Sequence, residues 1–227
     1  MNTMDMTPYL APGRFVDSDA PAVIAHAKKY AAGATDAREA ALRLYTAIRD
    51  GIVYDPYVDL GNPINYRASG VLAAGRAFCV GKSCLLTACA RVLGIPARPG
   101  FADVRNHLTS PRFYEKVKTD KFIWHSYAEL YLAGRWVKAT PAFDRALCER
   151  LGLKTLEFDG ESDSLLQPFD HSGRQHMEYL KQRGTYTDVP FDAIAADFAT
   201  YYPALMSGHG LSGDFQQEAV AETLAGD

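Results

Sequence analysis

The chain has 227 residues, 48% of them hydrophobic and 22% charged, an ordinary make-up for a folded globular protein and enough length for one sizeable core. Its net charge of -3, with no run of Lys or Arg, argues against a non-specific nucleic-acid binder, which needs a basic surface. Met1 to Val16 has no basic stretch followed by an apolar one, and no segment approaches the ~18 continuous apolar residues of a membrane span, so neither a secretory signal nor a membrane segment is expected.

Cys79, Cys84, Cys89 and Cys148 are too sparse for a disulfide framework in a chain of this length and have no zinc-ligand spacing. Reduced thiols in a cytoplasmic protein are the simplest reading. Repeats, low-complexity tracts and Gly/Ser linkers are lacking, so residues 1–227 are read as one domain.

In chain order, Ala20 to Ala31 predicts a short Ala-rich helix starting near Pro21, with Asp19 as its cap. Asp36 with Glu39 resembles a capping box; Ala41, Leu44, Tyr45 and Ile48 recur at helical spacing, and Gly51 ends the run. Val53 to Ala74 reads as a loop whose tyrosines and prolines suit a functional segment better than a linker. A regular helix follows from Cys79 to Leu93, with Leu85, Leu86, Cys89, Val92 and Leu93 on one apolar face. Gly94 and Pro96 close it. Ala97 to Val104 predicts a strand, and Trp124–Leu132 and Arg135–Ala139 predict a hairpin about Ala133-Gly134. A helix is expected over 145–153, polar turns from Glu157 to Pro190, a helix from Phe191 to Tyr201, and a frayed tail over the last dozen residues.

Three pieces of this outline carry chemistry. Cys79 opens the long helix, where the macrodipole and unpaired N–H groups favour a thiolate and can hold an oxyanion; Lys82 in the first turn would add to this. Its plainer reading is a buried thiol of the kind assigned to Cys84 and Cys89, and a nucleophile at Cys84 is a weaker alternative. On the first predicted hairpin strand, alternation sets Trp124, Ser126, Ala128, Leu130 and Leu132 toward the core, and His125, Tyr127, Glu129 and Tyr131 toward a cleft. A two-residue turn then puts His125 opposite Ala142, with Thr140 and Asp144 diagonal to it on the same face. Asp144 is the first candidate to orient His125, though it would equally cap the helix that starts near Arg145; Thr140 offers only a hydrogen bond.

Arg76-Ala77-Phe78-Cys79, Lys82, Leu85-Leu86, Arg91 and Gly94-Ile95-Pro96-Ala97-Arg98 together resemble the nucleophile helix of transglutaminase-like proteins. His125-Ser126-Tyr127-Ala128-Glu129-Leu130-Tyr131-Leu132 followed by Gly134-Arg135-Trp136-Val137 resembles that family's histidine strand and its partner, and Ile48 to Pro56 resembles the segment leading into its core. The likeness spans about residues 36–144. It implies an α+β, papain-like fold and thiol chemistry by Cys79 with His125 on a peptide, protein or small amide through an acyl-enzyme thioester, with Asp144, from the strand reading, as the third member of the triad. The alternative is a non-catalytic binding protein that keeps the cleft. One departure stands out: the family's third residue is an Asp directly before Pro, where this chain has Thr140 before Pro141.

Tyr66, Asp103, Arg105 and His107 are candidates for the cleft border, with Tyr66 and Arg105 as substrate contacts; Arg105 would pair with a carboxylate. Asp159, Asp163, Asp170, His171 and His176 fit no metal template, and no phosphate loop or dinucleotide fingerprint occurs, so neither metal nor cofactor is expected. The sequence leaves the oligomeric state open.

Overall fold

Helix α4 (Cys79–Val92) is buried on all sides, every residue from Val80 to Arg91 lying inside. A helix buried on every side, its polar Lys82, Ser83, Thr87 and Arg91 included, belongs at the centre of a fold, and the predicted single apolar face was too narrow a reading. In the computed structural model, which describes residues 5–107, 111–166, 169–170, 172–174, 176–206, 211 and 213–218, α4 lies between three helices and a sheet. The helices are α1 (Pro21–Tyr30), α2 (Ala37–Gly51) and α3 (Ala68–Ala74).

Asp36 caps α2 as predicted, its carboxylate accepting from Glu39 N at 2.8 Å. The cap of α1 is Ala20 rather than Asp19, with Pro21 in the first turn. The predicted loop is more ordered than expected: β1 (Val53–Tyr54) pairs in parallel with β2 (Arg76–Ala77), and a 3₁₀ turn (Pro63–Tyr66) leads into α3. Gly70 makes this fold-back fit, since a Cβ there would stand 2.3 Å from the Ile64 carbonyl oxygen.

The sheet is antiparallel, in the order β5-β4-β3-β6, from β3 (Ala97–Asn106), β4 (Lys121–Leu132), β5 (Arg135–Ala139) and β6 (Met177–Thr185). The hairpin register is the predicted one, Leu132 facing Arg135 and Ala128 facing Ala139, with Ala133 and Gly134 both at positive φ as a primed turn requires. Strand β6 and the short α5 (Pro111–Val117) were not foreseen. The remaining helices are α6 (Arg145–Arg150) and α7 (Phe191–Tyr201).

Both faces of β4 are buried, so the expected cleft face closes along most of its length. Glu129 goes inside because Arg98 pairs with it at 2.6 Å and stacks 4.1 Å above Trp136; a charge tolerates burial when it is paired. At the other end of the chain, residues 215–218 of the expected tail form a helical turn, and Gln216 Nε2 reaches Asp144 at 3.1 Å. Residues 219–227 lie outside the described part.

Candidate active site

Cys79 is the first residue of α4, after an extended Phe78. The backbone N–H groups of Ser126, Val80 and Cys79 itself all act to lower the thiol, and the helix start is tied to strand β4 by the Ser83 hydroxyl, which donates to the Ser126 carbonyl at 3.1 Å. The N–H groups of a first helical turn have no partner within the helix. Burial nevertheless pushes the thiol up to about 11, and the three N–H groups offset only part of this. The helix terminus alone does not make a standing thiolate.

Lys82 does not assist as expected. Its fully buried ammonium donates to the carbonyls of Arg49 (2.8 Å) and Ile52 (2.6 Å) at the end of α2, where a cation is favourable. Burial pushes Lys82 down to about 7, opposed by Asp144 and Asp50. Cys84 is wholly buried, its sulfur 3.2 Å from the Phe15 carbonyl, and Cys89 is buried too.

His125 is 7% exposed, and its Nε2 is buried with no hydrogen-bond partner among the described residues. Burial pushes the imidazole down to about 4, so it is neutral at ordinary pH. The Tyr179 ring of β6 stands edge-on to it, 6.2 Å between centroids. Thr140 is 1% exposed, and among the described residues its Oγ1 has no hydrogen-bond partner within bonding distance. Its carbonyl is held by the Tyr45 hydroxyl of α2 at 3.1 Å. Nearness of the Thr140 hydroxyl also lowers the Tyr179 phenol, though burial raises that phenol more.

Asp144 takes the capping role. One carboxylate oxygen accepts from Leu147 N at 2.9 Å, the other from Tyr54 N at 3.2 Å and Gln216 Nε2 at 3.1 Å, and no hydrogen bond joins it to His125. The residue begins α6 with the extended backbone of an N-cap.

Tyr66 lies behind Phe78 and the start of α4 rather than in an open cleft. It is fully buried, donates to the Leu60 carbonyl at 2.8 Å and packs edge-on against Phe78 at 5.1 Å. Burial raises the phenols of Tyr54 and Tyr66, and the nearby Cys79 sulfur adds to it. Arg105 sits at the end of β3 in ion pairs with Asp120 and Glu178, both at 3.2 Å, and His107 lies 3.3 Å from Glu178. Asp163 pairs with Lys138, Asp170 with Arg174, and His176 stacks on Phe143; His171 lies outside the described residues. Tyr179 went unnoticed in the sequence, where its segment read as turns; its apolar alternation with Met177 was the available signal.

The transglutaminase-like superfamily model matches residues 24–141, from α1 to just past β5. No curated protein matches the chain. Among solved structures, a proposed cysteine protease from Cytophaga hutchinsonii is similar in fold, with a TM-score of 0.54 and 19% identity over 85% of this chain and 50% of that one. The chain thus spans about half that protein's length. A proposed protease from Parabacteroides distasonis superposes with a TM-score of 0.39 and 15% identity over 60% of this chain and 25% of that one.

Proposed function

We propose, for a chain that belongs to the transglutaminase-like superfamily, thiol-dependent hydrolysis or acyl transfer at an amide or ester carbonyl, with Cys79 as nucleophile and His125 as its proton partner. The observation that carries this is the seating of the start of α4 on β4 beside His125, where the Ser83 hydroxyl donates to the Ser126 carbonyl at 3.1 Å and the Ser126 N–H lowers the Cys79 thiol. Nε2 is buried and makes no hydrogen bond among the described residues, and Nδ1 is the nitrogen this reading assigns to the thiol.

Both groups rest neutral, the thiol near 11 and the imidazole near 4. That favours proton transfer during attack over a standing ion pair. His125 takes the thiol proton as the sulfur bonds to the carbonyl carbon, and the N–H groups at the start of α4 receive the oxyanion. Collapse breaks the bond to the leaving group, which takes the proton from His125, and a thioester remains. Water, deprotonated by His125, then attacks that carbonyl. The C–S bond breaks, the acid departs and the thiol is restored. Water needs no second binding site, so hydrolysis is preferred to transfer onto an amine; a peptide, protein or small amide is the substrate class.

Thr140 is the better partner for His125 than Asp144. Thr140, one residue past β5, and His125 on β4 each bury a polar atom, Oγ1 and Nε2, that makes no hydrogen bond among the described residues. Tyr179 lies beside both, whereas the Asp144 oxygens are taken. The site is then a Cys–His pair steadied by a hydroxyl. The same substitution of Thr for Asp favours a second reading, a binding protein that keeps the cleft without turnover.

The test is iodoacetamide labelling against pH, with the modified cysteine located by peptide mass, and acyl trapping from an activated ester. Labelling of Cys79 that depends on His125, with a trapped thioester, is the expected result. Labelling unaffected by His125→Ala, with no trapped acyl group, would leave the binding reading.

A further inference from the structure

His125 follows a residue held in a strained backbone conformation. In the β3–β4 ladder Ala102 pairs with His125 and Val104 with Phe122, so Asp103 faces two residues, Ile123 and Trp124. This is a β-bulge, and Trp124 within it has φ 59°. A bulky residue at positive φ is a steric outlier and persists only where its surroundings over-determine it. On the other side of β3, Phe101 pairs with Gly184 and Ala102 with Gln182, which leaves Arg183 as the extra residue of a second bulge.

These two extra residues meet. The Arg183 guanidinium lies over the Trp124 ring, 4.5 Å from its centroid. The Trp124 backbone N–H donates to Asp103 Oδ1 at 3.1 Å, and the indole N–H to Asp197 Oδ2 at 2.8 Å. Arg183 binds both carboxylates, Asp103 through Nε and Asp197 through Nη1 at 2.7 Å. One guanidinium therefore ties together the two groups that grip Trp124, by its backbone and by its ring. Arg183 stands on β6 and Asp197 on α7, both beyond residues 24–141.

We propose that Arg183, Asp197 and Asp103 are positioning residues for His125, locking the Trp124 bulge and so fixing the direction in which the imidazole leaves β4. This rests on the reading of His125 as proton partner to Cys79. Side chains alternate along a strand, so erasing a one-residue bulge turns the residues beyond it to the opposite face. Without the clamp, relaxation of Trp124 to an extended conformation carries His125 away from the sulfur.

The experiment uses the full chain with labelled histidine. It follows the His125 imidazole by NMR against pH, and Cys79 alkylation in parallel, for wild type, Arg183→Met, Arg183→Lys and Asp197→Asn. In Arg183→Met, His125 should titrate well above the buried value of about 4, and Cys79 labelling near neutral pH should slow by about a hundredfold, as displacement of a reacting group by an ångström does. Arg183→Lys keeps a cation for one carboxylate and should recover part of both. A folded Arg183→Met with an unshifted His125 titration and a wild-type labelling rate overturns the clamp. Should Arg183→Met fail to fold, Asp197→Asn, which keeps the side-chain shape and the Arg183–Asp103 pair, is judged by the same two readings. The imidazole titration needs no turnover, so it tests the clamp separately from the chemistry assigned to Cys79.

Discussion

The two halves of the site are built differently. Cys79 is set largely by contiguous chain, after a β2 held by pairing with β1: an extended Phe78, a helix start, and a stop at Gly94, whose φ of 72° suits glycine. His125 is set by residues far apart in sequence: Asp103 on β3, Trp124 on β4, Tyr179 and Arg183 on β6, and Asp197 on α7. A thiol at a helix start is a local device, while a histidine next to a bulge sits among everything that holds the bulge. The family match ends at residue 141, and much of what surrounds the histidine comes after it.

The contrast is sharpest in Cys79→Ala. It should abolish turnover and thioester trapping with melting temperature nearly unchanged, because a partly exposed thiol at a helix start carries little of the core. Residual turnover would move the chemistry elsewhere. His125→Ala should slow alkylation of Cys79 near neutral pH by about 10²- to 10⁴-fold, the usual worth of a positioned base; an unchanged rate would separate the two halves altogether.

Stability against pH examines the histidine half alone. Burial puts the folded-state value of His125 near 4, below its ordinary 6.5, so the unfolded chain takes up the proton first. The neutral imidazole's contribution is full above pH ~6.5 and is lost as pH falls toward ~4, a change of about 3 kcal/mol. His176, also pushed down to about 4 by burial, adds a similar slope. His26, which burial also lowers, and the lowered carboxylates add to the same acid-side slope. Denaturant melts of His125→Gln should therefore lose the part that falls between pH ~6.5 and ~4 from His125 alone, and an unaltered dependence would mean that the imidazole is not buried neutral.

Smaller effects separate the supporting residues. Asp144→Ala should cost about 1 kcal/mol as a lost helix cap and leave Cys79 labelling intact. Thr140→Ala should instead alter the labelling profile with pH, and the reverse pattern would return Asp144 to the histidine. Lys82→Met should leave the pH profile of Cys79 where it was, because the ammonium serves the carbonyls at the end of α2; a shift would restore its assigned help to the thiol.

The sequence by itself determined the elements whose signals are local. Asp36 caps its helix, α4 runs from Cys79 to Val92, α7 from Phe191 to Tyr201, and the hairpin register follows from a two-residue turn. The periodicity of side chains and the demands of caps and primed turns act within a few residues, so they are legible without the fold. Only the tertiary structure decided that Asp144 caps α6, that Lys82 caps α2, that Tyr66 is buried behind Phe78, and that β6 borders β3. A carboxylate, an ammonium or a phenol goes to whichever buried partner the packing brings to it, and the cost of leaving such a group unpaired is set by neighbours distant in the chain. The Trp124 bulge belongs to the same class. Its strain is balanced by Arg183 and Asp197, 59 and 73 residues further on, a separation over which no local pattern could announce it.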